Sequence, residues 1–192
     1  ELIRTAVPDM EAVPLIAALK EAVSVPIVAD IHFDYKIALE SAAAGADKIR
    51  INPGNIGDAG GVKAVARECM ARKVPIRIGV NSGSLEREIL KKHGRPTPEA
   101  MLESAMYHAS LLEKFDFEDT VISIKSSDVA TMVRAYELVA DACDYPLHLG
   151  VTEAGTERMG LVKSSAGIGA LLLRGIGDTI RISLTAHPLR EV

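Results

Sequence analysis

Apolar and polar positions along the chain keep changing rhythm. Seven short runs, at residues 2–7, 25–32, 46–52, 74–81, 120–125, 146–153 and 178–184, set Ile, Val and Leu in alternation or in brief unbroken stretches, the pattern of half-buried or buried strands. Between them the apolar positions move to helical spacing. Residues 10–23 carry Leu15, Ile16 and Leu19 on one face, 35–44 stop at Gly45, 60–72 and 129–142 are further helices, and 159–173 is interrupted by several glycines. Thr97 before Pro98 predicts a helix start, with Thr as N-cap and Pro at the first helical position. Leu102, Ala105, Met106, Ala109 and Leu112 give that helix its apolar stripe, to about residue 115.

Strands alternating with helices every 20 to 45 residues or so argue for βα repetition around a parallel sheet, with right-handed crossovers placing the helices outside. A doubly wound sheet commonly carries a glycine-rich phosphate loop after its first strand, and neither GxGxxG nor GxxxxGK[ST] occurs here. The expected fold is therefore α/β, a (β/α)8 TIM barrel with seven of its eight strands in this chain. The first strand would lie upstream of Glu1, inside a larger protein.

Composition narrows the function classes. With 192 residues, 48% of them hydrophobic, one sizeable core and a single domain are expected. The net charge is −4, which disfavours a general nucleic-acid or anionic-membrane surface, so any cationic site must be local. Cys69 and Cys143 share no CxxC or Cys/His spacing and are expected to be buried structural thiols. No stretch approaches a membrane span and no signal segment opens the chain, so a protein of a reducing aqueous compartment fits.

The candidate chemistry sits at the strand ends, where barrels carry their active groups. These ends bear Arg4; Asp30 and His32; Arg50 and Asn52; Arg77 and Asn81; Ser123 and Lys125; Glu153; and Arg181 and Ser183. Several are i,i+2 pairs, which share one side of a strand. Five strand ends each bring a cation to an acidic molecule. Arg binds phosphate oxygens through parallel N–H bonds and Lys acts as a point charge, so the count favours a diphosphate or bisphosphate over a single carboxylate. Asp30, His32 and Glu153 are the candidates for proton transfer. No metal ligand set accompanies Asp30 and His32. His93, His108, His148 and His187 show no partner spacing and are expected in packing or surface roles. Residues 84–95 predict a short helix with a solvated charged face; the sharper reading is a lid over the anion site.

Four segments together carry a family resemblance: Ala29-Asp30-Ile31-His32-Phe33-Asp34, Lys48-Ile49-Arg50-Ile51-Asn52-Pro53-Gly54-Asn55-Ile56, Arg77-Ile78-Gly79-Val80-Asn81-Ser82-Gly83-Ser84-Leu85 and Gly150-Val151-Thr152-Glu153-Ala154-Gly155. The chain resembles the barrel domain of the 4-hydroxy-3-methylbut-2-enyl-diphosphate synthase family, whose barrel is of the dihydropteroate-synthase-like type. The resemblance implies the two-electron reductive opening of 2-C-methyl-D-erythritol 2,4-cyclodiphosphate, in a bacterial cytoplasm or plastid stroma. It implies that Arg4, His32, Arg50, Asn52, Arg77, Asn81, Lys125, Arg181 and Ser183 hold phosphate oxygens. Glu153 would be an acid-base group near the carbon skeleton, and Asp30 would orient its neighbours. It also implies a ferredoxin or flavodoxin type electron donor, a homodimer, and a 4Fe-4S cluster on a separate C-terminal domain absent from this chain. The fragment is then expected to bind no cluster and to be inactive alone. A transferase barrel of the dihydropteroate synthase type, or a non-catalytic anion-binding barrel, are the other readings.

Overall fold

The computed structural model describes residues 2–191. Within them seven strands alternate with helices: β1 Ile3–Ala6, β2 Ile27–Asp30, β3 Lys48–Ile51, β4 Ile76–Asn81, β5 Thr120–Lys125, β6 His148–Leu149 and β7 Thr179–Ile180. The helices are α1 Pro14–Ala22, α2 Tyr35–Ala43, α3 Ala59–Arg72, α4 Arg87–His93, α5 Pro98–Glu113, α6 Val129–Ala142 and α7 Glu157–Leu172. The strand order is β1-β2-β3-β4-β5, with β6-β7 as a second pair. Each strand lies beside its predecessor in sequence. A doubly wound sheet reverses its order at a switch point, so this order is that of a barrel wall.

Local chemistry explains where the helices begin. Carboxylates of Asp34, Asp58 and Asp128 accept from the backbone N–H groups of Lys36, Gly61 and Thr131 at 2.8, 2.9 and 2.7 Å, each satisfying a donor the first helical turn would otherwise leave open. The bond from Thr131 holds the Asp128 carboxyl below its ordinary range. Thr97 Oγ1 accepts from Ala100 N–H at 3.2 Å, as expected. Gly45, at φ +99°, takes the left-handed conformation that ends α2.

The chain divides into two compact units, one of Glu1–Ile78 with Tyr107–Thr120, the other of Gly79–Met106 with Val121–Val192. In the first, β2 is buried on both faces, as a covered parallel strand should be, and Ile16, Ile27, Ile49, Ile51, Ile76 and Phe117 are at most 1% exposed. Helices α2 and α3 pack on each other. In the second, Ile122, Ile124, Met132, Tyr136, Leu149 and Leu171 form the core, and α6 packs on α7.

Two details differ from the sequence expectation. Helix α7 runs unbroken through its glycines. Gly167 there serves close packing, since a methyl group on it would meet Met132 Cε at 2.7 Å. Strands β6 and β7 are two residues each, far shorter than their hydrophobic runs. Between β5 and β6 pairing is reduced to a bridge of Ile122 with Leu147. The fully buried Tyr136 hydroxyl then takes both backbones: it accepts from Ile124 N–H at 2.9 Å and donates to the His148 carbonyl at 2.5 Å. Tyr136→Phe is expected to lower stability by ~1–3 kcal/mol in chemical denaturation, because two buried backbone groups lose this partner. Residues 84–95 hold the expected short helix, α4, with Ile89 buried. Lys92 Nζ and His93 Nε2 fasten α4 to Glu103 of α5 at 2.7 and 2.8 Å.

Candidate functional site

Residues paired across parallel strands project to the same side of the sheet. In the first unit the register is Ala6 with Asp30, Asp30 with Arg50 and Arg50 with Arg77, and one row below it Arg4 with Val28 and Val28 with Lys48. The intervening positions Ile27, Ala29, Ile49, Ile51, Ile76 and Ile78 project to the opposite side and are 0% exposed. The apolar side is covered by helices, with α1 against β2 and α2 against β3. The other side is left to the charged residues.

There the charges gather on one carboxylate. Arg50 Nη1 donates to Asp30 Oδ1 at 3.1 Å, both side chains 9% exposed. Arg4 Nη1 lies 3.7 Å from the other oxygen, and His32 Nε2 3.8 Å from the first, with the His32 side chain 46% exposed. Arg77, 5% exposed, stands next to Arg50 in register. Burial first, and the positive charge of Arg77 second, push the Lys48 ammonium below its ordinary pKa. Arg4, Arg50 and His32 thus gather on Asp30, with Arg77 in register beside Arg50 and its charge felt at Lys48. Confined like charges of this kind are stabilised by an anion with several oxygens.

The second unit holds its own group. Ser123 and Lys125 on β5 are 2% and 7% exposed. Gly150, after β6, is where the chain passes closest: a methyl group there would lie 3.2 Å from Lys125 Nζ and 2.9 Å from the Arg181 carbonyl oxygen. Only glycine fits between them. Arg181 N–H donates to the Leu149 carbonyl at 2.9 Å, and its guanidinium lies 3.6 Å from Glu191 Oε2. Glu191 Oε1 also accepts from Leu184 N–H at 2.9 Å. Asn81 ends β4 and Ser183 lies three residues past β7, not on the strand as the sequence suggested; both are half-buried. Glu153 is exposed in the turn after β6 at φ +49°, a left-handed conformation uncommon for a residue with a side chain.

The structure therefore brings Arg4, Asp30, His32 and Arg50 together with Arg77 alongside, and brings Lys125 and the backbone of Arg181 to Gly150. Two partners were not foreseen. Glu191 joins Arg181 across the last turn of the chain, and His108, read from sequence as a packing residue, is wholly buried with Nδ1 accepting from Gly54 N–H at 3.1 Å. No spacing in the sequence signals either.

Among the described residues no group of three or more His, Cys, Asp or Glu could hold a metal ion, and no helix is long and apolar enough to cross a membrane. Neither cysteine is in a disulfide; Cys69 is buried as expected, whereas Cys143 is only half-buried. Burial, then the Glu68 carboxylate, pushes the Cys69 thiol up from 9.0 to about 12. The unfolded thiol ionises first, so this group costs nothing below about pH 9 and destabilises the fold progressively between about 9 and 12. Cys69→Ser should reduce that alkaline loss in a stability-versus-pH titration.

A wall of parallel strands in sequence order, alternating with helices, defines a β/α-barrel protein. The chain belongs to the GcpE TIM-barrel domain family, which it matches over residues 1–192. It is 56% identical over 192 residues to the 4-hydroxy-3-methylbut-2-en-1-yl diphosphate synthase (flavodoxin) of Fusobacterium nucleatum subsp. nucleatum, covering 100% of this chain and 54% of that protein. The enzyme of the same name from Geobacillus thermodenitrificans is 55% identical, with 100% and 51% covered. The chain spans about half the length of the curated relatives it matches. Among solved structures, the carboxyl transferase domain of Rhizobium etli pyruvate carboxylase is similar with a TM-score of 0.54 at 12% identity, over 86% of this chain and 28% of that one. A 2,3-dimethylmalate lyase gives 0.50 at 14%, over 86% and 60%. These two likenesses concern the fold alone.

Proposed function

We propose that this chain is the substrate-binding barrel of a 4-hydroxy-3-methylbut-2-enyl-diphosphate synthase and holds 2-C-methyl-D-erythritol 2,4-cyclodiphosphate by its phosphates. The observation that carries the reading is the excess of buried and half-buried cations about Asp30, supported by the printed names of relatives above 50% identity. In this reading Arg4, His32, Arg50, Asn52, Arg77, Asn81, Lys125, Arg181 and Ser183 are the residues assigned to phosphate oxygens. Asp30 holds Arg50 and Arg4 in place. Glu153 gives a proton to the hydroxyl that leaves as water, while two electrons open the cyclic diphosphate. The relatives' names point to flavodoxin as the electron donor, and a homodimer is part of the same reading.

The 4Fe-4S cluster implied by the family resemblance finds no ligand set among the described residues, and Cys69 is buried with its thiol held protonated. The cluster would be held by a separate C-terminal domain. Calorimetric titration of the chain with the cyclodiphosphate is expected to show binding that weakens as salt rises, since charge-assisted contacts are screened. Absence of binding at low salt would overturn the reading in favour of a barrel of another specificity.

A further inference from the structure

Asn52 continues the charged side of β3 in extended conformation, φ −112° and ψ 108°, two residues past Arg50. It leads into a 3-10 turn, Pro53–Asn55, and its side chain makes no capping bond to that turn. Three bonds from elsewhere in the backbone and from one side chain hold this region. Asn55 N–H donates to the Asn52 carbonyl at 2.8 Å, Tyr35 N–H to the Ile56 carbonyl at 3.0 Å, and Gly54 N–H to His108 Nδ1 at 3.1 Å. The last partner stands 54 residues along the chain and is 0% exposed.

The fit around that bond is close. The Tyr107 and His108 rings lie 5.4 Å apart, and a methyl group on Gly54 would meet His108 Cε1 at 3.0 Å and Tyr107 Cε1 at 3.2 Å. Because Nδ1 accepts a bond, a neutral His108 must carry its proton on Nε2. A proton on Nδ1 would set two donors facing each other.

We propose that His108, as the Nε2–H tautomer, is a positioning residue for the diphosphate site: its bond to Gly54 fixes the turn and so sets Asn52 beside Arg50. The inference rests on the diphosphate reading above. A merely space-filling histidine would be replaced better by Leu than by Asn. A positioning acceptor reverses that order, because the Asn side-chain oxygen can take the place of Nδ1.

The test is calorimetric titration of the chain with the cyclodiphosphate. His108→Leu is expected to weaken binding by about tenfold, the loss of one buried hydrogen bond, and His108→Asn to recover most of it. Gly54→Ala, which pushes the turn off the two rings with His108 in place, is expected to lose a similar factor and stands in if His108→Leu does not fold. Nitrogen-15 spectra should show His108 Nδ1 unprotonated at neutral pH. Wild-type affinity in His108→Leu or Gly54→Ala, an Asn variant no better than Leu, or a proton on Nδ1 would each overturn the inference. Arg50→Ala, measured alongside, separates the causes: if it too binds normally, the diphosphate reading falls and this inference with it.

Discussion

Arg50→Ala is expected to weaken binding of the cyclodiphosphate by more than ~1.5 kcal/mol, the scale of a charge-assisted hydrogen bond in a buried place. Two opposing effects set this outcome. Arg50 is 8% exposed and beside Arg77 in register, so its removal from the ligand-free chain relieves repulsion between two guanidinium groups. Asp30 is not stranded by the change, because Arg4 remains 3.7 Å away. The stability of the free chain should therefore change little while affinity falls. Calorimetry and denaturation on the same variant read the two quantities separately. A loss of stability without a loss of affinity would mean that Arg50 serves the fold and not a ligand.

The converse substitution attacks the fold. Asp30→Ala removes the carboxylate on which Arg4 and Arg50 converge, and deleting one partner of a buried pair such as Asp30–Arg50 costs up to ~3–5 kcal/mol. An added anion should restore part of the loss. Inorganic pyrophosphate at about 100 times its dissociation constant would return about 2.7 kcal/mol by mass action. Urea denaturation with and without pyrophosphate measures both numbers. An Asp30→Ala chain as stable as the parent would contradict the charge balance drawn around this site.

Much of this arrangement is legible in the sequence, for identifiable reasons. Thr97 announces a helix start at the residue beside it, because capping is a local bond, the same bond by which Asp34, Asp58 and Asp128 open their helices. Arg50 and Asn52, or Asp30 and His32, can be assigned to one face because the strand period is fixed by backbone geometry. What could not be read depends on distant partners. The hydrophobic runs around residues 146–153 and 178–184 suggest full strands, yet the Tyr136 hydroxyl takes the Ile124 N–H and the His148 carbonyl that a β5–β6 ladder would use. The partnership of His108 with Gly54 lies 54 residues apart in sequence, and Glu191 meets Arg181 through the tertiary path of the last segment. Neither leaves a periodic trace.

The left-handed backbone at Glu153 sets the demands on that position against each other. A residue with a side chain pays on the order of 1 kcal/mol to stay in this region, whereas glycine pays almost nothing. Variants selected for thermal endurance alone would drift toward glycine at 153 and shed the carboxylate with the tension. An effort to harden this barrel by consensus or screening keeps the proposed proton donor only if residue 153 is held fixed, because there the tougher molecule is the one that has lost its carboxylate.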